Sequence, residues 1–154
     1  MYVFLSLTFF HLLNLVIDIG NTLIKAAVFK GDSLVFKATF PKENFAAETN
    51  LISRQFDITR AILSNVSHSP EKFDSLLVKK ENLLILDQDT KVPFNNLYST
   101  PQTLGVDRIA LMAGAAVQFP SENILVIDAG SCITYDFLDS ENNYFGGAIS
   151  PGIE

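Results

Sequence analysis

Two aspartates close two similar stretches of chain. Residues 14–20 read NLVIDIG and residues 124–130 read ILVIDAG, so Val16, Ile17, Asp18 and Gly20 match Val126, Ile127, Asp128 and Gly130. A short polar pair follows each glycine, Asn21-Thr22 in the first copy and Ser131-Cys132 in the second. A carboxylate at a strand end can hold a cation or its waters. The glycine brings a backbone amide close to an anion with no side chain between them. Asn, Ser and Thr add side-chain donors. Together these are the groups that grip a phosphate and its metal. A third pair, Asp107-Arg108, offers different chemistry. The carboxylate can accept a proton, and the planar, permanently charged guanidinium suits a ligand carboxylate.

The elements that must carry these residues follow from apolar periodicity and turn chemistry. Residues 14–19 and 123–129 are near-continuous apolar runs, the pattern of buried strands. Residues 22–30 and 33–40 read as strands joined by Gly31-Asp32, a hairpin turn pair. Residues 43–56 fit an amphipathic helix and 58–66 a strand. Ser69-Pro70-Glu71 reads as the cap and start of a helix reaching about Lys80, with a strand at 82–86 after it. Residues 87–102, with Pro93 and Pro101, read as irregular, and 103–119 as an Ala-rich helix stopped at Phe119-Pro120. Strands at 131–139 and 143–149 follow. The order β-β-β-α-β-α-β-α predicts an α/β domain on a mixed sheet over residues 14–120. A second β-β-β run predicts the opening of a duplicated domain over 121–154. Val-Ile-Asp is a common strand ending, so the identities alone could arise by chance. The shared context, a bend of the same chemistry opening a three-strand run in both copies, favours duplication. A duplication would turn the two bends toward each other as a phosphate clamp.

Composition narrows the class. The 154 residues carry a net charge of −6 and show no basic stripe, which argues against a nucleic-acid partner. The single cysteine, Cys132, excludes an intrachain disulfide and a cysteine-built zinc site. It is expected to be a small buried residue beside the second bend. Only His11 and His68 are present, and His68 reads as an ordinary loop residue. The first 13 residues are apolar but interrupted by Ser6, Thr8 and His11, with no preceding Lys or Arg and no small-residue cleavage site. The apolar stretch is shorter than the ~20 residues a membrane span needs. It reads as an extension leading into the first strand, explicable by an early start codon, with no membrane role.

Residues 98–108 read YSTPQTLGVDR. With DIGNT at 18–22, DAGSCITYD at 128–136 and GGAISPG at 146–152, they closely resemble the type III pantothenate kinases over residues 14–154. The paired bends resemble the phosphate loops of the wider actin, hexokinase and Hsp70-like ATPase superfamily. The resemblance implies a ribonuclease H-like mixed sheet with flanking helices in each half. It implies ATP-dependent phosphorylation of pantothenate, the first step of coenzyme A biosynthesis, by a cytoplasmic homodimer that uses Mg2+ and a monovalent cation, K+ or NH4+. By the same resemblance Asp18, Gly20, Asn21, Thr22 and Lys25 form the first phosphate and magnesium site. Asp128, Gly130, Ser131 and Thr134 form the second, with Asp128 also near the monovalent cation. Asp107 is the expected base, and Tyr98, Gly105, Val106 and Arg108 line the pantothenate pocket. Read without the resemblance, Asp107-Arg108 could be a surface charge pair at a helix start, Lys25 a solvated strand residue and Tyr98 a loop cover. Gly146-Gly147 and Pro151-Gly152 could be turn punctuation.

The chain also departs from that family. Ser131 stands where Thr is more usual and Cys132 where Ala is, and the chain ends at Glu154, where family members continue through the rest of the second domain. That remainder supplies most adenine contacts and a Thr that reaches pantothenate across the dimer interface. The expectation is therefore little kinase activity in this piece alone, with apolar faces such as Ile124, Val126 and Ile133 left bare. Two other functions compete: a non-catalytic regulator on the same fold, and another small-molecule kinase such as a sugar kinase. Retention of Asp18, Asp107 and Asp128 disfavours the regulator, and a sugar site would favour Asn, Asp and His around several hydroxyls. The small residues Ala110, Ala113, Gly114, Ala115 and Ala116 would permit close packing, either within one chain or against a partner.

Overall fold

The computed structural model describes residues 12–66 and 78–152. They fall into two compact units, Met1–Ile85 and Leu86–Glu154. In the first, β1 (Leu13–Ile19), β2 (Leu23–Lys30) and β3 (Ser33–Pro41) form an antiparallel meander, with the expected two-residue turn at Gly31-Asp32. β4 (Ile58–Asn65) adds parallel to β1, and β5 (Leu83–Ile85) adds parallel to β4, giving the order β3-β2-β1-β4-β5. Strand alternation then sorts the faces. Leu15, Ile17 and Ile19 of β1, Ile24, Ala26 and Val28 of β2, and Ala61 and Leu63 of β4 are all buried in one layer. Helix α1 (Phe45–Gln55) lays Phe45 and Ile52 on that layer. Thr49, buried on the same stripe, donates its hydroxyl to the Phe45 carbonyl at 2.7 Å, which satisfies a polar group that would otherwise be stranded in the core.

The second unit is a four-stranded sheet under one helix. β7 (Ile124–Ala129), β8 (Cys132–Leu138) and β9 (Asn143–Pro151) are antiparallel, and the two-residue β6 (Asn95–Asn96) pairs parallel to the edge of β9. Helix α2 (Val106–Gln118) buries Ile109, Met112 and Ala116, a helical stripe, against Leu138 and Tyr144. Helix α2 contacts β7 and β8, so it packs with the strands that follow it.

Two expectations about exposure are corrected here. Ile124 and Val126 are not bare: they pack at the margin of the core under α2, and Ile133 is half-buried. Exposed apolar residues of these strands are Leu125, Ile127, Phe137 and Phe145, on the opposite strand phase, and Ile149 near the end of β9. A strand apolar in both phases leaves the choice of covered face to the element packing on it, here α2. Cys132, expected to be buried, is exposed at the first position of β8. His68, positions 70–77 of the helix expected to reach about Lys80, and the first 11 residues lie outside the described residues. Where that helix is expected to end, the chain forms a 3-10 turn at Lys80–Asn82.

Gly146 and Gly147 sit inside β9 rather than at a turn. Gly146 has φ +86° beside the register shift between β8 and β9, a bulge position that favours glycine. Gly147 lies so close to the Tyr135 carbonyl oxygen that a Cβ there would overlap it. Because that neighbour is backbone, Gly147→Ala must push β9 away from β8. We expect a loss of roughly 2 kcal/mol or more, visible as a lower melting temperature of the purified chain. An unchanged melting curve would show that the strand spacing yields freely.

Candidate active site

The two bends match in chemistry but not in length. In the first hairpin Asp18 lies opposite Lys25, and the Lys25 Nζ is 3.9 Å from Asp18 Oδ2 with both side chains open to solvent. Such a pair is screened and contributes about 0–1 kcal/mol, so it yields readily to a phosphate or a metal. The Gly20 amide donates to the Leu23 carbonyl at 3.1 Å, closing the bend, and Asn21 and Thr22 are exposed on it. In the second hairpin Asp128 lies opposite Thr134. The Gly130 amide donates to the Cys132 carbonyl at 2.9 Å. This bend is one residue tighter, so Thr134 is the cross-strand partner of Asp128 where Lys25 is that of Asp18. Asp128, Gly130 and Ser131 are exposed, while Thr134 Oγ1 is buried with no hydrogen-bond partner among the described residues.

No group of three or more His, Cys, Asp or Glu suited to a metal occurs among the described residues. A magnesium ion carried on a triphosphate does not need one. Phosphate oxygens and waters fill most of its octahedron, and one or two carboxylates suffice. Asp18 near the open end of β1 and Asp128 near the open end of β7 are each a single carboxylate of the kind such an ion takes.

The other candidate residues form one cluster at the start of α2. Asp107 occupies the first turn, where a negative charge is favoured by the helix dipole. Its Oδ1 accepts the Arg108 backbone N–H at 2.8 Å. The carboxylate folds over Gly105, where a Cβ would collide with it. Gly105 therefore makes room for the carboxylate itself, and Val106 between them is buried. Arg108 is only 5% exposed. Its Nε donates to both oxygens of Asp136, at 3.1 and 3.0 Å, and its Nη2 donates to Oδ1 at 2.6 Å. The Tyr144 hydroxyl donates to the same Oδ1 at 2.6 Å. The Tyr98 ring covers the guanidinium, with its centroid 5.7 Å from Cζ, a cation–π arrangement.

Tyr98 is itself held in place. Its N–H donates to Asn96 Oδ1 at 3.1 Å, β6 ties the preceding residues to β9, and the bare α-carbon of Gly146 lies against the ring. The hydrogen bond to Asp136 raises the Arg108 pKa above its ordinary value, with burial opposing. Burial first, and then Asp136, pushes the Tyr144 hydroxyl above the usual tyrosine range, so it stays a donor.

The structure thus brings Tyr98 onto Arg108 and Gly105 under Asp107, and it places Asp18 beside Lys25 and Asp128 beside Thr134. Asp136 and Tyr144 are the residues that sequence reasoning passes over. A signal was present: Thr134, Asp136 and Leu138 share one phase of β8, and Leu138 is a core position. A carboxylate on a core-facing phase requires a cation.

A family model described as type III pantothenate kinase matches residues 14–154. The chain is 47% identical over 143 residues to the type III pantothenate kinase of Christiangramia forsetii, covering 92% of this chain and 59% of that protein. It is 44% identical over 140 residues to that of Flavobacterium johnsoniae, covering 90% and 57%. Among solved structures it is similar to a Campylobacter jejuni protein described as a Baf family transcriptional activator. There the identity is 28% and the TM-score 0.52, over 90% of this chain and 55% of that one. The chain spans somewhat less than three-fifths of the curated relatives it matches.

Proposed function

The chain belongs to the type III pantothenate kinase family, and from that premise we propose that it supplies phosphate-gripping and acceptor-binding residues for ATP-dependent phosphorylation of pantothenate to 4'-phosphopantothenate. The observation that carries the reading is the pair at the start of α2: the partly buried carboxylate of Asp107, folded back on the first turn, and next to it in the chain Arg108, whose guanidinium is fixed by Asp136. Pantothenate has a carboxylate for Arg108 and a primary hydroxyl for Asp107. Asp107 takes the hydroxyl proton as the alcohol oxygen bonds to the γ-phosphorus, the bond to the β–γ bridging oxygen breaks, and ADP leaves. Transfer of this kind depends on alignment and charge neutralisation more than on a strong base. Asn21, Thr22 and Lys25 in one hairpin, and Ser131 and Thr134 in the other, meet phosphate oxygens; Gly20 and Gly130, whose own amides close the bends, leave room for that approach. Asp18 and Asp128 would hold Mg2+ brought by ATP, which supplies charge neutralisation on the phosphates, and Asp128 would also serve K+ or NH4+. Homodimerisation and a cytoplasmic location belong to the same proposal. No helix among the described residues is long and apolar enough to cross a membrane.

The similarity to a protein described as a transcriptional activator gives a regulatory reading some footing. The presence of Asp18, Asp107 and Asp128 favours the kinase. A coupled ADP-release assay decides between them. Joined to the C-terminal remainder of the Christiangramia forsetii kinase, the chain should turn over pantothenate and not sugars. The 154-residue chain alone should show little turnover. A completed enzyme that ignores pantothenate overturns the function, and robust turnover by the chain alone overturns the dependence on the remainder.

A further inference from the structure

Resting on the assignment of Arg108 to the acceptor carboxylate, we infer that Asp136 and Tyr144 are positioning residues that fix the plane and the free edge of the Arg108 guanidinium. A guanidinium has two edges on which paired N–H groups match a carboxylate, Nε/Nη2 and Nη1/Nη2. Asp136 occupies the first. A second carboxylate is left the Nη1/Nη2 edge, in the orientation Asp136 dictates. Tyr144 holds Asp136 in turn, through a hydroxyl bond to the oxygen that takes the shortest of the arginine bonds. Tyr98 closes one face of the plane. Asp136 and Tyr144 are 1% and 0% exposed; Asp136 bonds to Arg108 and Tyr144 to Asp136, so both act through Arg108.

The arrangement has a chemical consequence. Asp136 neutralises Arg108, so an anion gains less from bare charge than it would from a lone arginine. What remains is direction: two N–H groups set for a planar carboxylate. The chain therefore selects its acceptor by the shape of the carboxylate more than by its charge.

The test compares pantothenate with pantothenol, which keeps the reacting hydroxyl and carries an alcohol in place of the carboxylate. The readout is the ratio of kcat/KM for the two acceptors in the completed kinase. Arg108→Lys keeps the charge and loses the fork, and should collapse the preference for pantothenate. Tyr144→Phe removes one hydroxyl and leaves the ring among Phe94 and Tyr98. It should lower the preference by about tenfold, the scale on which an outer partner of a ligand-holding side chain acts, mainly through KM for pantothenate. Preference retained in Arg108→Lys overturns the arginine assignment and this inference with it. Preference lost in Arg108→Lys but unchanged in Tyr144→Phe, or an equal loss for both acceptors there, overturns the positioning role alone.

Discussion

Asp107→Asn in the completed kinase is expected to lower kcat by roughly 10²- to 10⁴-fold, the contribution of a positioned general base, with ATP affinity little changed. The substitution is nearly isosteric. The asparagine Oδ1 can still accept the Arg108 backbone N–H and still fits over Gly105, so the first turn of α2 keeps its geometry. Only the ability to take a proton is gone. Because alignment and charge neutralisation carry most of phosphoryl transfer, some turnover should remain above the uncatalysed rate. Titrating the variant with ATP separates this from an alternative role. Lost nucleotide binding would place Asp107 among the phosphate contacts and remove it as the base.

Much of this arrangement is legible in the sequence because it is local. The apolar runs at 14–19 and 123–129, the Gly31-Asp32 turn and the Ala-rich stretch before Phe119-Pro120 each act within a few residues, and each appears as an element near its expected limits. The bends at Gly20 and Gly130 are visible for the same reason. What escapes is what tertiary contact decides. β6 is two asparagines with no strand propensity of their own, and it exists because the edge of β9 offers open hydrogen-bonding groups. The covered face of β7 is chosen by α2, since Ile124-Leu125-Val126-Ile127 has no polar phase to mark the outside. The partner of Arg108 lies 28 positions away, in the middle of a strand. A motif reading that ends at Asp107-Arg108 describes an arginine facing substrate and misses the carboxylate behind it.

That carboxylate leads to the largest expected stability effect. Asp136→Ala should destabilise the chain by roughly 3–5 kcal/mol, the range for removing one member of a buried ion pair, measured by urea denaturation. Arg108 cannot shed its proton to relieve the loss, and the Tyr144 hydroxyl loses its acceptor at the same time. Replacing both partners by apolar side chains, Arg108→Met with Asp136→Leu, should recover most of the loss, because desolvation offsets much of what a buried pair gains from attraction. The comparison separates two reasons for the pair to exist. If stability were the reason, the double variant would stay as weak as the single one, and β8 would need this pair to hold α2. If the double variant recovers stability while pantothenate binding is lost, the core would fold as well without the charges. Their presence then follows from the ligand: a guanidinium can be buried next to the acceptor site only with a counter-charge behind it, and β8 supplies one at the single phase that faces α2.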